Sequence, residues 1–316
     1  MIIGYRREGA GLAEAPAIED AGWIDLFRPD EAERARVSEL IGATLPSRED
    51  QEEIERSSRL YIEDGAAFMT AIVPAQALSD APVLAPVTFI LTQDRLVTLR
   101  RHDPQPFRTF PKFAARAPLG CDSPGTILIG LVDEIIGRLA DITENVGREI
   151  EGMSLAAFRS DANAGRDMRK TLRGIGRKDD TVMQVRESLL TLERILGFLG
   201  PVMDQRKAPA DVRLMLRSQI RDIRAISEQA GFLMQKTALL LDATLGLINI
   251  EQSAIIKVFS VAAVVFLPPT LIASIYGMNF AVMPELSWPY AYPAALVAMV
   301  ASAVGPLYFF KRKGWL

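Results

Sequence analysis

Apolar residues recur along this chain with three different patterns, and each change of pattern marks a change of architecture. In residues 1–122 the apolar runs are short. Gly22 to Phe27, Ala66 to Val73, Val83 to Leu91 and Arg95 to Leu99 are rich in Val, Ile, Leu and Phe and are bounded by Pro, Asp or Gly. Runs of this kind predict strands. Two helical signals sit among them: Pro29-Asp30 opens an amphipathic stretch from Glu31 to Ile41, and Ser47 precedes Arg48-Glu-Asp-Gln-Glu as an N-cap. Strands alternating with helices predict an α/β sheet domain.

From Pro124 the apolar period becomes three to four residues. Leu128, Leu131, Ile135, Leu139, Ile142, Val146, Ile150 and Met153 predict a long amphipathic helix. A second begins near Arg166, carries Val182, Val185, Leu189, Leu192, Leu196 and Leu199, and is predicted to stop at Gly200-Pro201. Together they form an antiparallel pair over 123–208. A third helix follows Pro209-Ala210-Asp211, with Leu216, Ile220, Ile223, Ala230, Leu233, Thr237, Leu240, Thr244 and Leu247. It contains Gly231 and Gly246 but no proline before Pro268. A helix from Asp211 to Tyr276 would be roughly 100 Å long at 1.5 Å per residue. Its segment 209–257 reads as a stalk. Charges are dense from Arg213 to Glu228, but from Gln229 to Ile256 only Lys236, Asp242 and Glu251 remain. A helix apolar on several faces needs neighbours on several sides, which predicts a homo-oligomer with this helix as its inner ring.

The third pattern is continuous. Val258 to Tyr276 is 19 residues without a charge, and Tyr290 to Phe310 is 21. Each can cross a hydrocarbon core of about 30 Å as a helix. Residues 277–289 between them carry one charge, Glu285. The prediction is a transmembrane hairpin of spans 258–276 and 290–310. Lys311-Arg312-Lys313 abuts the second span within a basic tail, 311–316, and Lys257 precedes the first, while the loop has no Lys or Arg. Positive-inside bias places both termini in the cytoplasm. Pro268-Pro269 is predicted to kink the first span by removing helical hydrogen bonds.

Composition removes several classes of function. With 36 basic against 39 acidic residues and a net charge of -3, no nucleic-acid surface is expected. The single cysteine, Cys121, cannot form an intrachain disulfide and suits a reducing compartment. Met1-Ile-Ile-Gly-Tyr-Arg-Arg leads into no apolar run and does not read as a signal peptide. No P-loop and no nucleophile–His–carboxylate set is present, so neither a nucleotide cofactor nor an enzyme is expected. The only histidine, His102, sits in a loop-like Arg-His-Asp-Pro. A lone His and a lone Cys argue against a soft-metal site and leave hard cations favoured.

Two spans make no pore, but a ring of identical first spans does. The ring would gather Asn279 at its outer mouth, where an uncharged carbonyl oxygen, with Gly277 allowing close backbone approach, can recognise a hard cation without trapping it. Met278 shapes the same turn. Counting back by three or four, Thr270, Leu267, Ala263, Phe259, Ile256 and Ser253 share one face. Thr270 either presents its hydroxyl to a hydrated ion or bonds its own backbone four residues earlier. Ile256, Phe259 and Leu267 suit a hydrophobic gate that closes by dewetting, and equally suit plain packing. Asp242 reads as an inner ring of carboxylates, or as the ion-pair partner of Lys236 or of a neighbouring basic helix. Glu285 either attracts cations or pairs within the loop.

Tyr276-Gly277-Met278-Asn279-Phe280, then Met283-Pro284-Glu285-Leu286, Trp288, Tyr292-Pro293 and Tyr308 to Leu316, closely resemble the CorA family of magnesium channels. Asn249-Ile250-Glu251-Gln252 and Phe266-Leu267-Pro268-Pro269-Thr270 resemble it too, so the likeness is strong over about the last 75 residues and architectural over the rest. It implies a funnel-shaped homopentamer in the inner membrane that passes Mg²⁺, and often Co²⁺ or Ni²⁺, inward without ATP. The first span lines the pore, the second faces lipid, and Asn279 holds the hydrated ion through its waters. It also implies closure by cytoplasmic Mg²⁺. The helix from Asp133 to Asp161 holds seven acids (Asp133, Glu134, Asp141, Glu144, Glu149, Glu151, Asp161) against Arg138, Arg148 and Arg159. Carboxylates facing each other between subunits would suit a hard cation, but no sensor residue carries over by position. Two rival readings stand beside this one: a zinc, cobalt or nickel transporter on the same scaffold, and a membrane-anchored ion sensor that does not conduct. The zinc branch typically carries a different triplet.

Overall fold

The computed structural model describes the backbone of residues 1–53, 59–79, 82–158, 164–279 and 283–314, and the side chains of these except 164–167, 169 and 286. Expectations for Arg159, Asp161, Phe280 and Leu316, and for the side chains of Arg166 and Leu286, lie outside the described residues. The chain forms two compact units, Met1–Asp161 with Lys170–Leu241 and Ala162–Arg169 with Asp242–Leu316.

The first unit is built on one sheet. Its strands are β1 (Ile2–Glu8), β2 (Gly11–Glu14), β3 (Trp23–Phe27), β4 (Leu60–Glu63), β5 (Ala66–Ala75), β6 (Val83–Leu91) and β7 (Leu96–Arg100). They lie in the order β2-β1-β3-β7-β6-β5-β4. Among the described residues, only β3 and β7 pair in parallel, Trp23 opposite Leu96. The four expected strands are present to within a residue or two. β1, β2 and β4 were not expected: β2 and β4 are four-residue edges, and β1 runs out into exposed Arg6, Arg7 and Glu8. Short, charged edges resist further pairing, and the same traits erase the apolar run that announces a strand.

Helix α1 (Glu31–Ile41) starts at a reciprocal capping box, in which Asp30 accepts from the Glu33 N–H at 2.8 Å and Glu33 accepts from the Asp30 N–H at 3.0 Å. It ends at Gly42, whose φ of 65° is the left-handed conformation a glycine adopts freely. Helix α2 (Arg48–Glu52) has the same box through Ser47 and Asp50. Strand alternation then divides the core. Ile24, Leu26, Phe68, Ile90, Val97 and Leu99 pack with Val37 of α1 on one side. Trp23, Met69, Val87, Phe89, Leu91 and Leu96 pack on the other with Phe107 and Phe110 of α3 (Pro106–Phe113) and with the long helices.

Three long helices follow, α4 (Pro124–Ala157), α5 (Ala164–Gln205) and α6 (Ala210–Tyr276), and the first unit takes α5 from Lys170 and α6 as far as Leu241. Contacts between α4 and α5 fall on one as they rise on the other. Glu149 pairs with Lys178 at 2.5 Å, and Met153 lies over Gly174. At the far end Met203 lies so close to Gly125 that a Cβ there would be 2.7 Å from its Cε. The pair is antiparallel, as expected. Helix α6 runs parallel to α4, with Gln219 donating to the Ile129 carbonyl at 2.9 Å, Leu233 against Gly147 and Lys236 paired with Glu151. It runs antiparallel to α5, where Arg224 meets Glu193 at 2.8 Å and Thr237 donates to Asp179 at 2.7 Å.

The predicted end of α5 at Gly200-Pro201 is wrong: the helix continues to Gln205. A proline costs a helix its own N–H bond and crowds the carbonyl of the residue four earlier. Here that residue is Gly197, and another turn buries Val202 and Met203. Just beyond the helix, Arg206 donates to the Thr92 and Leu91 carbonyls at 2.5 and 3.0 Å and ties α5 to the β6–β7 turn. Helix α6 follows its prediction to the last residue, running unbroken through Pro268 and Pro269.

A buried ion pair sits inside the sheet. Arg100 Nη2 lies 2.9 Å from Asp25, both side chains being almost fully buried. Thr98 donates to Asp25 at 2.7 Å and accepts from the Trp23 indole at 3.0 Å. Arg100 also donates to the His102 carbonyl at 2.8 Å, and its guanidinium lies over the Phe27 and Phe107 rings at 4.5 and 4.8 Å. Such saturation offsets the cost of taking two charges out of water. His102 is in a loop, as expected, yet buried, its Nε2 2.7 Å from the Val73 carbonyl.

Candidate ion pathway

The second unit contains the end of α6 and α7 (Ala291–Arg312), two helices long and apolar enough to cross a membrane. Helix α7 begins and ends within two residues of the predicted span. Between the helices, Pro284–Ser287 makes a single 3₁₀ turn, closed by the Trp288 N–H on the Glu285 carbonyl at 3.3 Å. The Trp288 and Tyr290 rings meet edge to face at 6.0 Å, and both, with Tyr292, are exposed. Aromatic side chains at the head of a hairpin suit the membrane–water interface.

Helix α6 stops where the Gly-Met-Asn triplet starts. The Gly277 N–H reaches the Ala273 carbonyl at 2.9 Å, and the Met278 N–H tightens to the Ile275 carbonyl at 3.3 Å. A Cβ on Gly277 would stand 3.0 Å from the Ala273 oxygen, a tighter contact than most side chains make. Asn279 follows, exposed, beyond the last turn.

The predicted pore face behaves as one surface. Ile256, Phe259 and Leu267 are 64%, 71% and 65% exposed, and Ala263 and Thr270 are exposed with them. At 100° per residue these five lie on the side of α6 opposite Val261, Val265, Pro268 and Ile272. That opposite line is the shielded one: Val261 is 7% exposed and the other three are half-buried. Helix α7 shields its own line through Ala295, Met299, Ser302, Pro306 and Phe310. The hairpin thus covers one side of α6 and leaves the candidate face open. Ser253 and Asp242 are also exposed, rotated by about a quarter turn or less from it.

Individual residues refine the picture. Thr270 donates to the Phe266 carbonyl at 2.7 Å, the backbone bond weighed against its pore role. Its oxygen keeps lone pairs that can accept from a water, so the two roles are compatible. Lys236 pairs with Glu151, and not with Asp242 as one alternative had it. Glu285 is exposed and forms no ion pair among the described residues. On α4, Glu149 and Glu151 are taken by lysines, and Glu134 accepts from Thr109 at 2.6 Å. Asp133 accepts from Gln219 at 3.3 Å, and burial raises its pKa above the ordinary carboxylate value. Asp141 and Glu144 remain exposed. Among the described residues, no three His, Cys, Asp or Glu gather to hold a metal ion. The buried Asp25–Arg100 pair was missed in the sequence, although Asp25 inside an otherwise apolar strand was its signal.

Known proteins resemble the chain along its whole length. The family of CorA-like Mg²⁺ transporter proteins matches residues 19–312. The magnesium transport protein CorA of Salmonella typhimurium is 34% identical over 305 residues, covering 96% of this chain and 95% of that protein. Its counterpart in Escherichia coli K12 is 35% identical over the same coverage. The complete structure of the CorA magnesium transporter from Methanocaldococcus jannaschii superimposes with a TM-score of 0.75 at 20% identity, covering 100% of this chain and 99% of that one. On the family match and on these identities, the chain belongs to the CorA-like Mg²⁺ transporter family.

Proposed function

We propose that this chain is one subunit of a membrane channel that carries Mg²⁺ into the cytoplasm, with α6 lining the pore and α7 facing lipid. The observation that carries the reading is the open face of α6. In a soluble protein, a line through Ile256, Phe259, Ala263, Leu267 and Thr270 left uncovered opposite the packed side would be a defect. Around a shared axis it is a wall, and it leads to Asn279. Family membership supports Mg²⁺ as the ion.

Each part has a role the chemistry supports. Mg²⁺ gives up its water reluctantly, so a ring of Asn279 amides would bind the hydrated ion through that water, with Gly277 and Met278 setting the turn. Thr270 would receive the same shell one step inward. Leu267, Phe259 and Ile256 would dewet and close the path, and Ser253 and Asp242 would line the inner stretch, the carboxylate attracting the cation. A divalent ion moving inward across 100 mV gains about 4.6 kcal/mol, twice the ~2.3 per elementary charge, so no nucleotide is required. A homopentamer in the inner membrane with both termini cytoplasmic, passage of Co²⁺ and Ni²⁺, and closure by internal Mg²⁺ complete the proposal.

The test is ion selectivity in proteoliposomes at a fixed inside-negative potential. Mg²⁺ should enter and compete with Co²⁺ and Ni²⁺. Entry of Zn²⁺ without Mg²⁺ would move the chain to the zinc reading, and entry of neither by folded oligomer would make it a non-conducting sensor.

A further inference from the structure

The cation cluster at the inner end of the hairpin is not used by the ion pathway, and it poses a problem for one. The arms from Lys257 to Tyr276 and from Ala291 to Lys311 are each roughly 30 Å at 1.5 Å per residue, so Lys257 and Lys311 fall at one depth. Lys257, Lys311, Arg312 and Lys313 are all exposed, and none forms an ion pair among the described residues. Glu251 is six positions before Lys257, a spacing that puts the two on different sides of the helix. Lys313 has only an aromatic face, its Nζ lying 5.3 Å from the centre of the Phe309 ring. Helix-end cations do complement the α7 dipole. Four of them at the cytoplasmic mouth of a cation path also repel the ion that must leave by it.

The outer face of α7 suggests what neutralises them. Val297, Val300, Val304 and Tyr308 are 68%, 62%, 57% and 66% exposed. Their spacing of three, four and four places them on one line, and three residues on that line reaches Lys311. An apolar stripe topped by a cation is the complement of one amphiphile, an acyl chain headed by an anion. A second copy of this chain does not fit, since it brings the same cations to the same place.

We propose that this stripe and its basic head, Lys311, Arg312 and Lys313 with Lys257, form a binding site for an anionic phospholipid of the inner leaflet. The phosphate is held by the cations, and an acyl chain lies along Val297, Val300, Val304 and Tyr308. The proposal rests on the reading that the hairpin spans a membrane, but not on conduction of Mg²⁺.

Native mass spectrometry of the full chain, released from micelles doped with phosphatidylglycerol or phosphatidylcholine, reads the site without any ion flux. The wild type should retain phosphatidylglycerol at least about tenfold better, given the attraction each basic residue supplies near a lipid surface. The Lys311→Gln/Arg312→Gln/Lys313→Gln variant should lose that preference while keeping its helical circular dichroism. If the triple variant does not fold, Lys257→Gln should lower the preference by a smaller factor. Equal retention of the two lipids by the wild type would overturn the proposal, as would an unchanged preference in the variants. Displacement of phosphatidylglycerol by millimolar inorganic phosphate would assign the cations to a soluble anion and overturn it equally. If lipid preference holds while Mg²⁺ entry fails, this site stands and the channel reading falls.

Discussion

The two units obey the same hydrophobic effect and solve it in opposite ways. In the first, Trp23, Phe68, Phe89, Leu128 and Ile129 are sealed from water by the chain's own sheet and helices. In the second, Phe259, Phe266, Leu271, Val297 and Val300 stand open, and Val261 is the one apolar side chain beyond Asp242 that the described residues bury. Apolar surface on this scale is unfavourable in water. The first unit is complete within one chain. In the proposed channel, lipid on one side and further copies on the other would complete the second, because helices in a bilayer satisfy their backbone internally and leave side chains to the surroundings. Stability and function are therefore expected to part company between the units.

The largest stability effect belongs to the first unit. Asp25→Ala leaves the Arg100 guanidinium buried without its counter-charge and should cost about 3–5 kcal/mol in chemical denaturation of the full chain. A loss under about 1 kcal/mol would mean that the network around β3 and β7 does not hold the sheet.

A smaller effect follows pH. Burial holds the pKa of His102 below its ordinary 6.5, so the folded state prefers the neutral ring. The associated stability is complete above pH 6.5 and is lost as pH falls through that value towards the lower folded-state pKa. Melting measured between pH 7.5 and 5 should fall more steeply for wild type than for His102→Gln. Parallel curves would remove His102 from the account.

Surface contacts rank lower still. Lys236→Ala breaks a pair with Glu151 whose side chains are 30% and 56% exposed, and it should cost no more than about 1 kcal/mol. At the bottom of the scale, Phe259→Ala removes a side chain that touches little of its own subunit. It should leave melting of the first unit within about 0.5 kcal/mol of wild type. Its effect should appear in flux, as a several-fold higher resting Mg²⁺ leak. A large melting change with no leak would reverse the comparison and make Phe259 a packing residue.

The two units were also unequally legible in the sequence. The ends of α6 and α7 could be read almost to the residue, because long charge-free runs and the 3.6-residue period are properties of one segment alone. The same holds for α1, whose Asp30–Glu33 box is written in residues three positions apart. The sheet was half read. Buried β5 and the largely buried β6 announce themselves by continuous apolar runs, whereas β1, β2 and β4, though β1–β2 and β4–β5 are tight hairpins, are short or charged and carry no such run. The end of α5 was misread for a related reason. Pro201 is a local stop signal, overruled by Val202 and Met203 finding a place in the core. Asp25 and Arg100 are 75 positions apart, and only the parallel pairing of β3 with β7 brings them together. For the candidate pathway, face and motif were visible in advance. The backbone bond of Thr270 was one of two open readings, and the pairing of Lys236 with Glu151 joins residues 85 positions apart, beyond the reach of any local pattern.

The measurement that bears most directly on the central claim is potential-driven Mg²⁺ entry into dye-loaded proteoliposomes, comparing wild type with Asn279→Ala at matched density of folded oligomer. The account predicts rapid entry for the wild type and its loss in the variant, with the melting of both unchanged. Equal entry by the two would show that Asn279 does not select the ion and would contradict the account.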